Sequence, residues 1–248
     1  MITLYRPSGY DSPRASSFAG CSVDDKPLDV ENGSSFKEID TGRVFRYDKE
    51  NNLWIEQKNT TGGGGATEPY IEETYDADGN LIEAKLYGYT KIRDNLYVGC
   101  TNLAHVSFSE SLTSIGESAF NSCSNLALTS LPAGVTSIGS GAFYGCSNLA
   151  LTSLPAGVTS IGSGAFNSCS NLALTSLPAG VTSIGSYAFS GCTRLTSITF
   201  KGTPTIIESS AFDGCTNLTD IKVPWAEGAV SGAPWGATNA TITYNYTE

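Results

Sequence analysis

The hydrophobic positions in the second half of the chain recur at a fixed interval of 23 residues. Ile92 opens the series, and each isoleucine is followed five residues later by an aromatic side chain and eight residues later by a cysteine. The aromatic positions are Tyr97, Phe120, Phe143, Phe166, Phe189 and Phe212, and the cysteines are Cys100, Cys123, Cys146, Cys169, Cys192 and Cys215. A constant period of this length predicts a solenoid built from stacked turns.

A single turn of 23 residues cannot bury its own apolar face, so neighbouring turns are expected to stack and share one core. The Leu, Ile, Phe and Cys positions are predicted to point inward and to form ladders. Short strand segments of successive turns should pair as a parallel sheet with a spacing of about 4.8 Å. The triplet Pro132-Ala133-Gly134 and its copies predict a corner, because Pro fixes φ and Gly accepts unusual values of φ.

The stretch SIGSGAFYGCSNL, residues 137–149, carries a recognisable motif. It resembles the BspA-like class of bacterial leucine-rich repeats, whose units share the core I-x-x-x-A-F-x-x-C-x-x-L. Five of the six turns fit this core, and the first departs from it with Leu96-Tyr97 in place of Ala-Phe. The resemblance covers residues 92–224. It implies a recognition or adhesion scaffold, mostly on bacterial surfaces, without catalytic activity.

These patterns predict a mainly β fold, a right-handed leucine-rich-repeat solenoid of six 23-residue turns with a small separate N-terminal β module. The predicted parts are a β anchoring module over residues 1–57, a Gly-rich linker over 58–69, a hairpin cap over 70–95, the solenoid over 96–223 and a C-terminal cap over 224–248. Within the first part, residues 35–57 predict three short strands because of their alternating apolar positions and a turn at DKENN. A module this small is marginal alone, which leaves a homo-oligomer open.

Charge is distributed unevenly and limits the chemistry of the solenoid. Residues 1–95 contain 11 Lys and Arg and 17 Asp and Glu, whereas Ser118 to Thr193 contain no charged residue and no histidine. Acid–base catalysis and phosphate binding need such groups. The acidic balance of 14 basic and 24 acidic residues also argues against nucleic-acid binding. We therefore expect no catalytic residue, no cofactor and no metal site.

Two smaller features bear on metal and redox chemistry. Asp76, Asp78 and Asn80 superficially resemble a calcium loop, but the twelfth position from Asp76 is Tyr87 and not an acid, so a hairpin turn at Asp78-Gly79 is predicted. The cysteines are predicted to be reduced and buried as small apolar residues, with Cys21 also unpaired, because every internal member of a ladder has two equivalent neighbours. A disulfide alternative stays open, since stacked turns bring such Cα atoms within bridging range.

The chain contains no apolar signal-peptide core in MITLYRPSGYDSPRASS and no run of membrane-spanning length, and it ends in TITYNYTE without a wall-sorting sequence. Together with reduced thiols, this favours assembly in a bacterial cytoplasm. The segment DVENGSSFKEIDTGRVFRYDKENNLWIEQ resembles a short module near the start of small structural proteins of tailed phages and prophages of Gram-positive gut bacteria. The ending, residues 223–246, is similar to the terminal cap of repeat proteins from the same source.

The leading functional prediction is a non-catalytic virion protein, such as a head or tail fibre or decoration. Residues 1–57 would bind other virion proteins, and the solenoid would contact a host or mucosal surface protein or glycan, without inserting into a membrane. The alternative is a bacterial cell-surface adhesin whose leucine-rich repeats bind a protein or a glycan.

The three identical copies of NLALTSLPAGVTSIGS leave the binding face open. In outer turns the inward residues fall at the first, fourth and sixth places, as in Leu195, Ile198 and Phe200, whereas the copies place leucine third. If the register is kept, an outward stripe results that would form a contact surface. Its members would be Leu128, Ser130, Leu151, Ser153, Leu174 and Ser176. If a local bulge intervenes, each of these leucines turns inward and the threonine after it turns outward, which leaves an ordinary polar sheet face.

Overall fold

The computed structural model describes residues 69–247 and, before them, the backbone of five short strands. These residues form strands and turns, and the described part of the chain contains no helix. The fold is therefore mainly β, as the periodic pattern predicts. Two compact units are present, Met1–Tyr89 and Thr90–Glu248, and each is described separately below.

The first unit contains seven strands that are hydrogen-bonded in the order β5-β4-β3-β2-β1-β6-β7. All neighbours are antiparallel except β2 and β3. The strands are β1 Thr3–Pro7, β2 Ser17–Gly20, β3 Ser35–Glu38, β4 Val44–Asp48, β5 Leu53–Gln57, β6 Tyr70–Tyr75 and β7 Leu81–Tyr87. The three strands predicted over residues 35–57 are confirmed as β3, β4 and β5.

The hairpin of β6 and β7 belongs to this same sheet, because β6 pairs with β1 over five residues. The division into two compact units falls after Tyr89, and the predicted boundaries at residues 57 and 95 stay predictions. The predicted turn is confirmed, since Asp76 Oδ1 accepts the backbone N–H of Asp78 at 3.0 Å and of Asn80 at 2.8 Å. The predicted linker and Cys21 lie outside the described residues.

The second unit is the solenoid, with two parallel sheets. One sheet has the order β16-β14-β12-β11-β10-β8 and the other the order β13-β15-β17-β18. The strands are β8 Lys91–Ile92, β9 His105–Ser107, β10 Ser114–Ile115, β11 Ser137–Ile138, β12 Ser160–Ile161, β13 Ser176–Leu177, β14 Ser183–Ile184, β15 Ser197–Phe200, β16 Ile206–Ile207, β17 Asp220–Lys222 and β18 Thr241–Thr243. We number the turns one to six by their cysteines, from Cys100 to Cys215.

A threonine immediately before each strand of the six-stranded sheet fixes the spacing of the turns. The backbone N–H of Thr136 donates to the carbonyl oxygen of Thr113 at 2.8 Å, and its hydroxyl donates to the same oxygen at 3.1 Å. Thr159 and Thr182 repeat both bonds one and two turns later. Each threonine therefore ties its turn to the one before, while the isoleucine two positions later is buried.

The predicted aromatic ladder occupies the centre of the solenoid. Phe120, Phe143, Phe166, Phe189 and Phe212 are all buried, and successive rings stack with centroids 5.2–5.5 Å apart and planes within 10° of each other. Tyr97 continues the stack in the first turn, 5.7 Å from Phe120. Stacked aromatic pairs add about 0.5–1.5 kcal/mol beyond the burial of their surface. The ladder is thus a continuous stabilising element through all six turns.

The segment after β17 closes the far end of this core. The backbone N–H of Phe212 donates to the carbonyl oxygen of Trp235 at 2.9 Å. Trp225 and Trp235 are both buried and pack around Phe200, with ring centroids 5.2 and 6.1 Å from it. The two indoles cover the end of the stacked phenylalanines with apolar surface.

Of the two alternatives for the repeated copies, the outward stripe of leucines is wrong and the local bulge is correct. Leu128, Leu151 and Leu174 have exposed fractions of 8%, 0% and 2%, so all three belong to the core. The reason is a local irregularity within each copy, where two successive residues face outward: Thr129 and Ser130 are both exposed in the first copy, and Thr152 and Ser153 in the second. This break in the alternation brings the third residue of each copy inward and leaves the following Thr outward, as the bulge alternative requires.

Replacing a shifted leucine tests this assignment. Leu151→Ser removes a fully buried side chain and places a hydroxyl in an apolar site, so we expect a loss of about 3–5 kcal/mol in the free energy of unfolding. The exposed Ser153→Ala in the same segment should change it by less than about 0.5 kcal/mol. Urea unfolding followed by circular dichroism measures both. Equal stability of the two variants would return Leu151 to the surface.

Candidate binding surface

The inward side chains of the turns are buried and contact the neighbouring turns. Each buried cysteine donates its S–H to the backbone carbonyl of the aromatic residue one turn earlier, as Cys169 Sγ does to Phe143 O at 3.0 Å. The same bond joins Cys123 to Tyr97, Cys146 to Phe120, Cys192 to Phe166 and Cys215 to Phe189. The six repeat cysteines carry no disulfide in the structure.

Burial in this ladder suppresses thiol chemistry. Desolvation raises the pKa of Cys123, Cys169 and Cys215 to about 12 each, and it raises the pKa of Cys146 and Cys192 as well. The thiolate is the reactive form of cysteine, so these groups stay unreactive near neutral pH. Within the described residues, no group of three or more His, Cys, Asp and Glu side chains is placed to hold a metal ion. Any binding must therefore use the outward side chains.

The outward residues of the three identical copies are small and uncharged. Of the serines predicted for the binding face, Ser130 and Ser153 are exposed and Ser176 is half-buried. Their role in binding stays a prediction, now without the leucines beside them. On the six-stranded sheet the exposed threonine hydroxyls already donate to carbonyl oxygens of the preceding turn. Both faces offer hydroxyl groups but little apolar surface for contact.

Two tyrosines interrupt this small-residue surface at the corner between the strand and the cysteine of a turn. Tyr144 in turn three has an exposed fraction of 43%, and Tyr187 in turn five has one of 49%. Tyr144 stands at the repeat position that holds Asn121 and Asn167 in the adjacent turns. Large aromatic side chains left half-exposed amid small polar residues mark candidate contact sites.

Tyr187 also has an unusual backbone. Its φ is +58°, and the same repeat position in turns three and four is glycine, with φ of +59° at Gly141 and +61° at Gly164. The left-handed region costs an L-residue about 1–2 kcal/mol, and it is an outlier for a bulky side chain. Strained residues of this kind concentrate at functional sites. A bulky residue at this position is not required by the fold, because two neighbouring turns manage with glycine.

Gly164 lies between the two tyrosines along the solenoid. A Cβ atom built on Gly164 would lie 3.9 Å from Tyr144 Cδ2 and 3.9 Å from Asn167 Cβ. The ring of Tyr144 therefore reaches over turn four, whose next neighbour is the turn that carries Tyr187. We call the set of Tyr144, Gly164, Asn167 and Tyr187 the tyrosine patch. At the centre of this patch Gly164 has no side chain, so its backbone is the surface between the larger residues.

The polar group of the tyrosine patch is held in a fixed orientation. Ser168 Oγ donates to Asn167 Oδ1 at 2.8 Å, and the backbone carbonyl of Asn167 accepts the N–H of Gly145 at 2.8 Å. The first bond commits the oxygen of the amide, which leaves its NH₂ group as the donor toward a ligand. A preorganised donor beside exposed rings lowers the entropy lost on binding.

Carboxylates flank the tyrosine patch at both ends. Glu117 in turn two and Asp213 in turn six are exposed residues of the same corner, one turn outside Tyr144 and Tyr187 respectively. Glu117 is further anchored, because its backbone N–H donates to Asp94 Oδ1 at 2.8 Å. The corner segments of turns three to five, residues 138–146, 161–169 and 184–192, contain no charged residue. The corner is therefore a neutral band with an acidic border.

The 23-residue period could not reveal the tyrosine patch, because a period shows only the positions that the turns share. The sequence signal lies in the positions at which the turns differ: across turns three to five the corner varies mainly at Tyr144 and Tyr187. The leucine-stripe alternative was wrong because it assumed that a repeat position keeps the same side-chain direction in every turn.

The family comparison agrees with the fold. Residues 90–219, over half of the chain, match the model of the BspA type leucine rich repeat region in six copies. The chain therefore belongs to the BspA-type leucine-rich-repeat family. The match does not reach the N-terminal segment that resembles proteins of tailed phages, so that resemblance stays a prediction. No curated protein matches the chain.

Solved bacterial leucine-rich-repeat proteins are similar to this chain. A leucine-rich repeat protein of T. pallidum is 27% identical, with 62% of this chain and 81% of that chain covered and a TM-score of 0.48. A leucine-rich cell surface protein of Faecalibacterium prausnitzii A2-165 is 24% identical, with 80% and 71% covered and a TM-score of 0.44. A leucine-rich repeat protein of Bacteroides ovatus ATCC 8483 is 16% identical, with 81% and 75% covered and a TM-score of 0.30. Among the described residues, no helix has the length and apolarity to span a bilayer.

The buried thiols predict a specific dependence of stability on alkaline pH. The folded pKa of Cys169 is about 12 against an ordinary value of 9.0, so the folded protein retains a proton that the unfolded chain releases above pH 9. The stabilisation is complete below pH 9 and is lost as the pH rises toward 12. Between pH 8 and pH 10 the parent should lose about 1.4 kcal/mol more than Cys169→Ala, because one titrating thiol is removed. Urea unfolding in reductant at both pH values measures this, and parallel losses would contradict the assigned burial.

The strain at Tyr187 predicts an ordering of two variants. Tyr187→Ala removes the ring but keeps a Cβ atom in the left-handed region, whereas Tyr187→Gly removes both. Relief of the strain favours the glycine variant by about 1–2 kcal/mol. The greater entropy of unfolded glycine offsets about 0.4–1 kcal/mol of this, so we expect the glycine variant to be more stable than the alanine variant by about 1 kcal/mol in the free energy of unfolding. Thermal unfolding compares them directly. An alanine variant as stable as the glycine variant would show that φ at residue 187 is unstrained.

Proposed function

We propose that the protein is a non-catalytic recognition protein of a bacterial surface, in which the solenoid presents the tyrosine patch to a partner. The observation that supports this most directly is the pair of half-exposed tyrosines in a charge-free band. The inward side chains of the same turns are consumed by the phenylalanine and cysteine ladders. The outward tyrosines, Tyr144 and Tyr187, are therefore the feature of turns three to five that the stacked core does not explain.

Membership of a leucine-rich-repeat family supports a binding role over an enzymatic one. The repeat supplies a rigid extended scaffold, and such scaffolds bind through outward residues that vary while the inward residues repeat. Tyr144 and Tyr187 are variable outward residues of this kind. A fold shared by many proteins does not by itself name a partner, so the partner must be inferred from the surface.

The leading prediction from the sequence, a virion location through residues 1–57, rests on the resemblance of that segment alone. The family match begins at residue 90, and the described residues of the first unit add nothing that favours a capsid or tail partner. We therefore place the surface adhesin first. An oligomeric state stays a separate prediction.

Adhesion of the whole chain to host glycoproteins tests the proposal. Fluorescent beads coated with the protein should bind saturably to wells coated with mucin and fibronectin and not to wells coated with albumin. Tyr144→Asn, which copies turns two and four, should reduce adhesion at least fivefold, because half the aromatic contact is lost. Val98→Asn is the matched control, since Val98 is the exposed residue of the same repeat position in turn one, with an exposed fraction of 49%. Its adhesion should equal that of the parent.

Two outcomes would contradict the proposal. Adhesion no stronger to mucin and fibronectin than to albumin would remove the recognition role. Adhesion reduced equally by Tyr144→Asn and Val98→Asn would assign it to general exposed apolar surface and not to the tyrosine patch.

A further inference from the structure

We infer that the ligand of the tyrosine patch is a neutral glycan, one sugar ring of which packs against Tyr144 and Tyr187 over Gly164. This inference rests on the proposed function and adds the chemical class of the partner. It follows from three properties of the patch, namely the placement of its two tyrosines on alternate turns, the kind of polar groups beside them, and the charge around it.

The shape of the patch suits a small flat ring. The Tyr144 ring reaches Gly164 in turn four, and Tyr187 occupies the repeat position of Gly164 in turn five, so the two exposed tyrosines stand on alternate turns with the side-chain-free Gly164 between them. A sugar ring presents C–H groups on its faces, and these are attracted to the electron-rich face of an aromatic ring. Tyrosine offers such a surface at low entropy cost, because it has only two side-chain torsions.

The polar groups of the patch suit hydroxyl ligands. The Asn167 amide is oriented by Ser168, and the other polar side chains in the corner segments of turns three to five are serine hydroxyls. Sugar hydroxyls donate and accept, so they pair with amides and with serine and threonine hydroxyls without desolvating a charge. An apolar peptide would instead need a continuous apolar groove, and here the two rings stand among polar residues.

The charge around the patch selects against anionic glycans. Glu117 and Asp213 lie one turn beyond the two tyrosines, where adjacent turns are about 4.8 Å apart. A sugar over Gly164 in turn four lies two turns from each carboxylate, about 10 Å, which is comparable with the screening length of about 8 Å at physiological ionic strength, so both carboxylates repel a bound anion weakly. Arg194, the nearest cation along the chain, follows Cys192 seven residues after Tyr187. Sialylated and sulfated glycans are therefore disfavoured relative to their neutral counterparts.

Glycan binding is tested with a printed array of neutral oligosaccharides and their sialylated and sulfated counterparts, followed by isothermal titration with the best neutral ligand. The parent chain should bind neutral members more tightly than their acidic counterparts, and the difference should shrink as the salt concentration rises. Tyr144→Asn and Tyr187→Gly should each weaken the neutral ligand at least tenfold, and Tyr187→Phe should keep the affinity within twofold, because stacking needs the ring and not the hydroxyl.

Adding a side chain at Gly164 provides an independent variant. Gly164→Asn keeps the backbone conformation accessible, since Asn95 holds φ of +57° at the same repeat position in turn one, but it places a side chain between the two rings. We expect binding to be lost while thermal stability stays near that of the parent. Val98→Asn again serves as the control and should bind as the parent does.

Failure of this inference is distinguishable from failure of the proposed function. The parent chain could still bind mucin saturably after complete deglycosylation with trifluoromethanesulfonic acid, and bind no neutral glycan on the array. That result would contradict the glycan inference and indicate a protein partner. A preference for sialylated or sulfated members would also overturn it. Loss of mucin binding on deglycosylation, with sensitivity to Gly164→Asn, would support it.

Discussion

The structure depends on the stacking of like residues at the spacing of one turn. Successive phenylalanine rings lie 5.2–5.5 Å apart, which is close to the strand spacing of a parallel sheet, about 4.8 Å. An inward side chain therefore meets the same residue type in the turn above and in the turn below. A substitution at one inward position would leave two neighbours with a mismatched partner, and this confines variation to the outward positions.

The same ladder explains how a strained tyrosine is tolerated. The backbone on either side of Tyr187 is held by bonds to adjacent turns, with Ser186 O accepting the N–H of Gly164 at 2.8 Å and Phe189 N donating to Ala211 O at 2.8 Å. The conformation of the corner is thus set by its neighbours, whichever residue occupies position 187. Strain persists where the surrounding structure determines the backbone in this way.

The sequence predicted the parts of the fold that depend on repetition. The inward positions of Phe143 and Cys146 follow from the period, because any outward placement would expose an apolar ladder through every turn. The direction of Leu128 could not be derived, since it depends on a local bulge that turns both Thr129 and Ser130 outward within the copy. The pairing of β6 with β1 was also out of reach, because it joins segments more than sixty residues apart through backbone groups that carry no sequence signal. The tyrosine patch required knowing which corner positions are exposed and which residues lie beside them.

The corner, and not either sheet, is where this solenoid can acquire a ligand at least cost. On the six-stranded sheet the exposed threonines are part of the fold, because the hydroxyl of Thr136 donates to the carbonyl oxygen of Thr113 and the hydroxyls of Thr159 and Thr182 repeat the contact. A ligand that used those donors would compete with the bonds that set the turn spacing. At the corner the side chains of Tyr144 and Tyr187 point outward from a backbone already fixed by its neighbours. Substitution there changes the surface while leaving the ladders intact, so new binding specificity can arise without loss of the fold.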